Sequence, residues 1–269
     1  MSTVFQKTRV SEAALLNPPD TTKKINNFPE ACVSAFSGEL IRKFASRPDT
    51  EIIAKLPSTG GSVPVFKTVY LGREVAFYLS RVGGPACAAA FEEVTAMGAR
   101  CLVLFGSCGI LNEEKTRGRL IIPDCAVRDE GTSYHYAEPS DEIEADPESV
   151  RILQKIMDNH NIPHIIGKTW TTDALYRETA PAAAERRKEG CLCVEMECAS
   201  MLAVSRFRRI PFVQFLYGSD SLDSGSWKAK GPDRHGLPLQ ELYMHLAFEC
   251  ALALCDADSR KDAAKNDGR

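Results

Sequence analysis

No stretch of the 269 residues offers the roughly 18 consecutive apolar residues that a membrane-spanning helix needs, so no membrane segment is expected. The opening MSTVFQKTRVSEAALLNPPD also lacks the apolar core of a secretory leader, which makes a cytoplasmic location the default expectation. Charge of one sign is missing too. Lys and Arg number 33 against 36 Asp and Glu, a formal charge of −3, so nothing suggests a nucleic-acid partner. An anionic substrate would have to be held by a few local cations. Metal-ligand spacing is absent: Cys191 and Cys193 form C-x-C, with no second cysteine pair or histidine at zinc-finger distance, so no metal is expected. No G-x-G-x-x-G opens a helix after a strand, which disfavours a dinucleotide-binding enzyme. The ten cysteines fall mostly in apolar runs and are expected as reduced, buried small hydrophobes.

What is present is ordinary globular composition, 44% hydrophobic and 26% charged, at a length that suits one large α/β domain. Residues 1–29 are polar and contain Pro, Asn and Thr, and read as an arm on the surface or reaching a neighbouring subunit. ACVSAF at 31–36 reads as a strand, followed by a turn at Ser37-Gly38-Glu39 and a helix start. Alternation around Gly72 predicts a hairpin. Gly83-Gly84-Pro85 precedes a strong helix, with Pro near its first turn. CLVLF at 101–105 is apolar throughout, as in a strand covered on both faces. LIIPDCAV, HIIGKTWTT and PFVQFLYGSD read as further strands, and 147–160 and 196–204 as helices. Residues 238–255 form a closing amphipathic helix, and 256–269 read as a charged, disordered tail. The domain proper is therefore placed at 30–255. Strands alternating with helices predict a three-layer α/β/α fold with active groups at strand ends.

Three short segments bring together chemistry-bearing side chains. GSCG at 106–109 follows a buried strand, where small residues let the backbone N–H groups face an anion, although a tight turn explains it equally well. Glu195, Met196 and Glu197 open an apolar helix. One of the two carboxylates can simply complement the helix N-terminus. Ser219-Asp220 ends an apolar strand, either as ligand-binding groups or as a helix cap.

These segments, with VRDEGTSYHY at 127–136 and in this order, resemble the trimeric and hexameric nucleoside phosphorylases, the family of purine nucleoside phosphorylase and uridine phosphorylase. The resemblance runs from about residue 31 to 252. It implies a central mixed, partly barrel-like sheet, and a pentosyltransferase that cleaves the N-glycosidic bond of a ribonucleoside with inorganic phosphate. Phosphate is then the co-substrate and no cofactor is needed. The products are ribose 1-phosphate and free base. By resemblance, Met196, Glu197 and Glu195 bind ribose, and a carboxylate there stabilises the oxocarbenium-like transition state. Asp220 protonates a purine ring nitrogen as the bond breaks. Leu175 and Tyr176 contact the base together with Asp220. The places where uracil-specific members carry Gln and Arg hold Thr179 and Pro181, which favours a purine over uridine.

For the phosphate, the resemblance implies Gly38, Arg42, Gly106, Ser107 and Lys67, the last supplied by a neighbouring subunit, so that active sites are shared in a dimer at least and in a hexamer by analogy. Lys67 stands where the family has arginine, keeping the charge without the bidentate fork. A third arginine is replaced by Leu104, with Arg128 a candidate substitute. Nucleosidases of the same fold also lack phosphate arginines and use a carboxylate to activate water. Glu39 stands in the matching turn, which keeps phosphate-independent hydrolysis as the alternative.

Overall fold

A computed structural model describes residues 10–229 and 235–267, with side chains from 261 onward left out. Ten strands form one mixed sheet. β1 (Ala31–Ala35) runs parallel between β4 (Arg73–Leu79) and β5 (Cys101–Ile110), and β4 continues antiparallel to β3 (Val63–Tyr70) and then β2 (Glu51–Leu56). On the other side, β5 pairs with both β9 (Cys193–Glu195) and β10 (Phe212–Ser221). The path from β9 through β8 (His164–Thr172) and β6 (Leu120–Asp129) returns to β10, closing five strands into a barrel. β7 (Glu142–Glu144) pairs with β6. The expected partly barrel-like mixed sheet is thus a five-stranded barrel with a four-stranded limb.

Local sequence explains the elements that position the cleft. In β1 all five side chains are buried, as an apolar strand between two parallel neighbours requires. α2 (Gly38–Ala45) begins where the Ser37 hydroxyl accepts the Leu40 N–H at 3.3 Å, and it buries Leu40, Ile41 and Phe44. The β3–β4 hairpin turns through Leu71 and Gly72, both at positive φ, a two-residue loop matched to strand twist. α2, α5 (Pro147–Asn159) and the closing helix α8 (Leu237–Asp267) pack as one group. Phe44, Phe77 and Phe248 meet edge to face between sheet and helices. α3 (Gly84–Met97) and α7 (Cys198–Arg208) pack on each other as a second group.

Several expectations change. GSCG lies inside β5 rather than in a turn after it, because the barrel pairings to β9 and β10 extend the strand to Ile110. The tail expected from 256 continues α8 as helix to Asp267. There Asp256 accepts from Arg73 at 2.9 Å and Asp258 from Arg100 at 2.7 Å, contacts invisible to local composition. Cys101 and Cys255 form a disulfide between β5 and α8, so these two are not free thiols. The arm's residues 1–9 and the tail's last two lie outside the described residues. The rest of the arm includes a short helix, α1 (Pro18–Thr21), and docks where the Ile25 N–H donates to the Met97 carbonyl at 2.9 Å. Among the described residues no helix is long and apolar enough to cross a membrane.

Candidate active site

A cleft of about 670 Å³ opens at the end of β5. Its floor is Ser107, Cys108 and Gly109, its walls are Val194, Glu195, Met196 and Glu197 on one side and Ser219 and Asp220 on another, and Phe36, Val82, Leu175, Tyr176 and Trp227 stand around it. Tyr176 is 92% exposed and Trp227 68%, so apolar rings rim the mouth without covering it. Ser107 is the one exposed residue of β5. A β-carbon at Gly106 would collide with the Phe36 ring, so the glycine lets that ring lie flat over the strand at the cleft edge.

The turn between β9 and α7 is held by Glu195. One of its oxygens accepts the Thr171 hydroxyl at 2.6 Å, and the other accepts the N–H groups of Glu197 at 2.8 Å and Cys198 at 2.7 Å. These amides are the unpaired donors every helix start leaves. Glu195 therefore caps α7 from within and positions its neighbours; both its oxygens are occupied, and direct ribose binding is not what its hydrogen bonds favour. Burial pushes its carboxyl above the ordinary range, opposed by these donors.

Glu197 is buried as well, and accepts the Gly83 N–H at 2.6 Å. Gly83 sits at φ +95°, which glycine alone adopts without strain. At Gly84 a β-carbon would strike the Ser200 hydroxyl, so the Gly-Gly-Pro segment brings α3 close against α7 and fixes Glu197. Burial, reinforced by the charge of Glu195, pushes the Glu197 carboxyl up to about 8. Met196 is half-buried beside it, on the cleft wall.

Asp220 faces this turn across the cleft. Pairing of β10 with β5 slips between Gly218 and Asp220, a bulge at Ser219 that re-aims the aspartate. Its oxygens accept the Ser219 hydroxyl at 2.9 Å and the Trp227 indole N–H at 2.8 Å. Trp227 is brought there by a loop pinned at its base, where Ser221 and Lys228 exchange backbone hydrogen bonds. No helix follows Ser219-Asp220, so the capping alternative does not apply.

The cations are placed differently. Arg42, exposed on α2, lies back over that helix's first residue, one guanidinium nitrogen 3.3 Å from where a Gly38 β-carbon would stand. Lys67 on β3 is bound to Glu74 at 2.7 Å and Glu51 at 3.0 Å, outside the cleft of its own chain. Leu104 is fully buried. Arg128 cannot stand in for the missing arginine. It is buried against Tyr134 and donates to Ser133, Ser140 and the Glu138 carbonyl. Glu39 is exposed and does not line the cleft. Among the described residues no Lys, Arg or His lines the cleft, whereas four carboxylates do: Glu178, Glu195, Glu197 and Asp220.

Glu178 and Trp227 are the polar-bearing lining residues that sequence reasoning missed; Glu178 is the one with a titratable group. It follows a 3₁₀ turn at Leu175–Arg177, in a segment whose pattern gives no periodicity to mark an inward side. Among the described residues no group of three or more His, Cys, Asp or Glu is arranged to hold a metal ion.

Residues 30–239 of this barrel-and-limb chain match the phosphorylase superfamily. The chain belongs to that family. Among similar proteins, guanosine phosphorylase of Halorubrum lacusprofundi is 23% identical over 158 residues, 59% of this chain and 64% of that protein. Uridine phosphorylase of Thermococcus kodakarensis is 35% identical over 107 residues, 40% and 39% of the two chains. Purine nucleoside phosphorylase of Plasmodium falciparum is 28% identical over 144 residues, 52% and 59%. The chain thus spans between 39% and 64% of the length of these relatives. The fold matches uridine phosphorylase of Vibrio fischeri, TM-score 0.69 at 19% identity, over 90% of this chain and 96% of the other. Purine nucleoside phosphorylase of Toxoplasma gondii, solved with immucillin-H, matches with the same score and identity over 87% and 93%.

Proposed function

We propose that the protein is a nucleoside phosphorylase that cleaves the N-glycosidic bond of a purine ribonucleoside with inorganic phosphate. The observation that carries this reading is the opposition of Glu197 and Asp220 across one cleft, the first fixed by Gly83 and the second turned inward by a bulge. Similar proteins named guanosine, purine nucleoside and uridine phosphorylase support the class.

In this reading ribose rests on Met196, with its hydroxyls at Glu197. Phosphate lies toward Ser107 and the start of α2, where Gly38 and Arg42 stand. A phosphate oxygen attacks the anomeric carbon, the bond to the base breaks, and its electron pair moves into the purine ring. Asp220 gives a proton to the ring nitrogen and makes the base a better leaving group. Positive charge building on the sugar is stabilised by the nearby carboxylate and by the arriving phosphate. Lys67 of a second subunit would complete the anion site on exchanging its present carboxylate partners for phosphate, so the active enzyme is at least a dimer. The reaction needs no cofactor, and the compartment is the cytoplasm.

A second reading, hydrolysis by a nucleosidase, is favoured by one observation: among the described residues the cleft is lined by four carboxylates and no cation, and Leu104 is buried where the resemblance puts a phosphate arginine. Incubation with inosine, guanosine, adenosine and uridine, each with and without phosphate, separates the two. Base released only with phosphate, and ribose 1-phosphate recovered, supports the phosphorylase. Equal release without phosphate overturns it in favour of hydrolysis.

A further inference from the structure

The loop from Asp173 to Ala180 is exposed at every position except Glu178, which is half-buried and turns its side chain into the cleft. Its carboxyl group has no hydrogen bond or ion pair among the described residues. Leu175, Tyr176, Val194, Leu222 and Trp227 line the same cleft, so the group sits in partly apolar surroundings without a protein partner. A carboxyl group so placed at the open base end of the cleft keeps its acceptors available to the donors of whatever binds there.

We propose that Glu178 selects the base by accepting, as a bidentate pair, the ring N–H and the adjacent exocyclic amino group of a 2-amino-6-oxopurine, so that the site prefers guanosine. This rests on the nucleoside reading above and adds the substrate within it. Guanine presents two donors side by side, which match the two oxygens of a carboxylate as a guanidinium does. Hypoxanthine offers only the ring N–H. Adenine turns a ring-nitrogen lone pair toward the carboxylate, which is repulsive unless the carboxyl holds a proton. Uracil places its single N–H between two carbonyl oxygens, of which at least one faces the carboxylate.

The charged groups facing Glu178 agree with this. Asp220 from β10 and Glu195 and Glu197 from the turn before α7 line the same cleft, and no cation among the described residues does. Arg177 is exposed outside it, and Arg187 is engaged by the Leu222 and Asp223 carbonyls. Burial first, and then the charge of Asp220, push the Glu178 carboxyl up to about 7. Near neutral pH the group is therefore poised between two selectivities. The ionised form accepts from guanine, while the protonated form donates to the adenine ring nitrogen.

Equilibrium dialysis of labelled guanine, hypoxanthine and adenine against the full chain at pH 6 and pH 8 tests the assignment, with phosphate-dependent turnover of the three nucleosides measured in parallel. Guanine is expected to bind tightest, and its preference over adenine to widen by at least about tenfold from pH 6 to pH 8. Glu178→Gln and Glu178→Ala should each lose about 10- to 100-fold in guanine affinity, and both should flatten that pH dependence. Adenine should be weakened little, and Glu178→Gln can improve it. The same base ranking and pH profile in both variants as in the native protein overturns the proposal. If the ranking depends on Glu178 but no nucleoside is cleaved, base selection stands and the phosphorylase reading fails. If nucleosides are cleaved with a ranking indifferent to Glu178, the reverse holds.

Discussion

At the sugar end of the cleft every functional side chain is held by another group of the same chain: Glu197 by the Gly83 amide, its turn by Glu195, and Asp220 by Ser219 and Trp227. At the proposed anion end, Ser107 is exposed, Arg42 lies over the start of α2, and Lys67 is committed to Glu51 and Glu74. On the proposed reading, one chain preorganises the nucleoside end of the cleft but leaves the anion end incomplete, which is what a shared site between subunits, or a weak phosphate site, would look like. Preorganised donors and acceptors contribute most to catalysis, so the largest losses are expected at the sugar and base end. Asp220→Asn keeps the shape and the Ser219 contact but removes the proton donor, and turnover of a purine nucleoside should fall about 10²- to 10⁴-fold with KM little changed. Full activity in that variant would place the acid elsewhere.

Glu195→Ala tests the other half of the contrast, bracing rather than chemistry. It leaves the Thr171 hydroxyl and two buried helix-start amides without an acceptor, and a loss of about 3 kcal/mol in unfolding free energy is expected. Denaturant unfolding measures this. A change below about 0.5 kcal/mol would mean that water replaces the carboxylate, and that the turn holds itself. At the anion end the expected effect is smaller. Arg42→Gln should raise the KM for phosphate about tenfold, roughly 1.4 kcal/mol, while the KM for nucleoside at saturating phosphate stays near the native value. An unchanged phosphate KM would remove Arg42 from the site and strengthen the hydrolytic reading.

The same contrast governs what was legible in the sequence. Elements written in local pattern were readable: the apolar strands, the hairpin at Gly72, and the helix after Gly83-Gly84-Pro85. So were Glu197 and Asp220, whose positions at a helix start and a strand end already place them where α/β folds bind ligands. The role of Glu195 was half legible, since a carboxylate beside a helix start is a natural cap, and its oxygens accept three donors of that turn. Glu178 was hidden because its inward turn follows a 3₁₀ turn, which leaves no periodic trace. Arg128 read equally as a substitute phosphate cation or an interface brace for a similar reason. The groups that absorb it, Ser133, Glu138 and Ser140, lie on the loop that folds back over it. The short β9, three residues long, exists only because β5 and β8 lie on either side to pair with it.

The smallest effect follows from the crowding of carboxyl groups that the cleft tolerates. In the unfolded chain these groups ionise near 4.5, whereas in the fold Glu178 holds its proton to about 7 and Glu197 to about 8. Between these limits the folded protein binds more protons than the unfolded one, so its stability is greatest at the acid end of the interval and declines as the pH rises to about 8. Melting temperature should drop by several degrees from pH 5 to pH 8.5, at roughly 2–4 °C for each kcal/mol in a chain of this size. Glu197→Gln removes the largest of these ionisations while its amide oxygen can still accept the Gly83 N–H. Its melting temperature should fall less over the same range, and at pH 8.5 it should exceed that of the native protein. Parallel curves for the two proteins would mean that Glu197 is already ionised at neutral pH. The ribose would then meet a full negative charge, with stronger stabilisation of the developing cation than a neutral carboxyl provides.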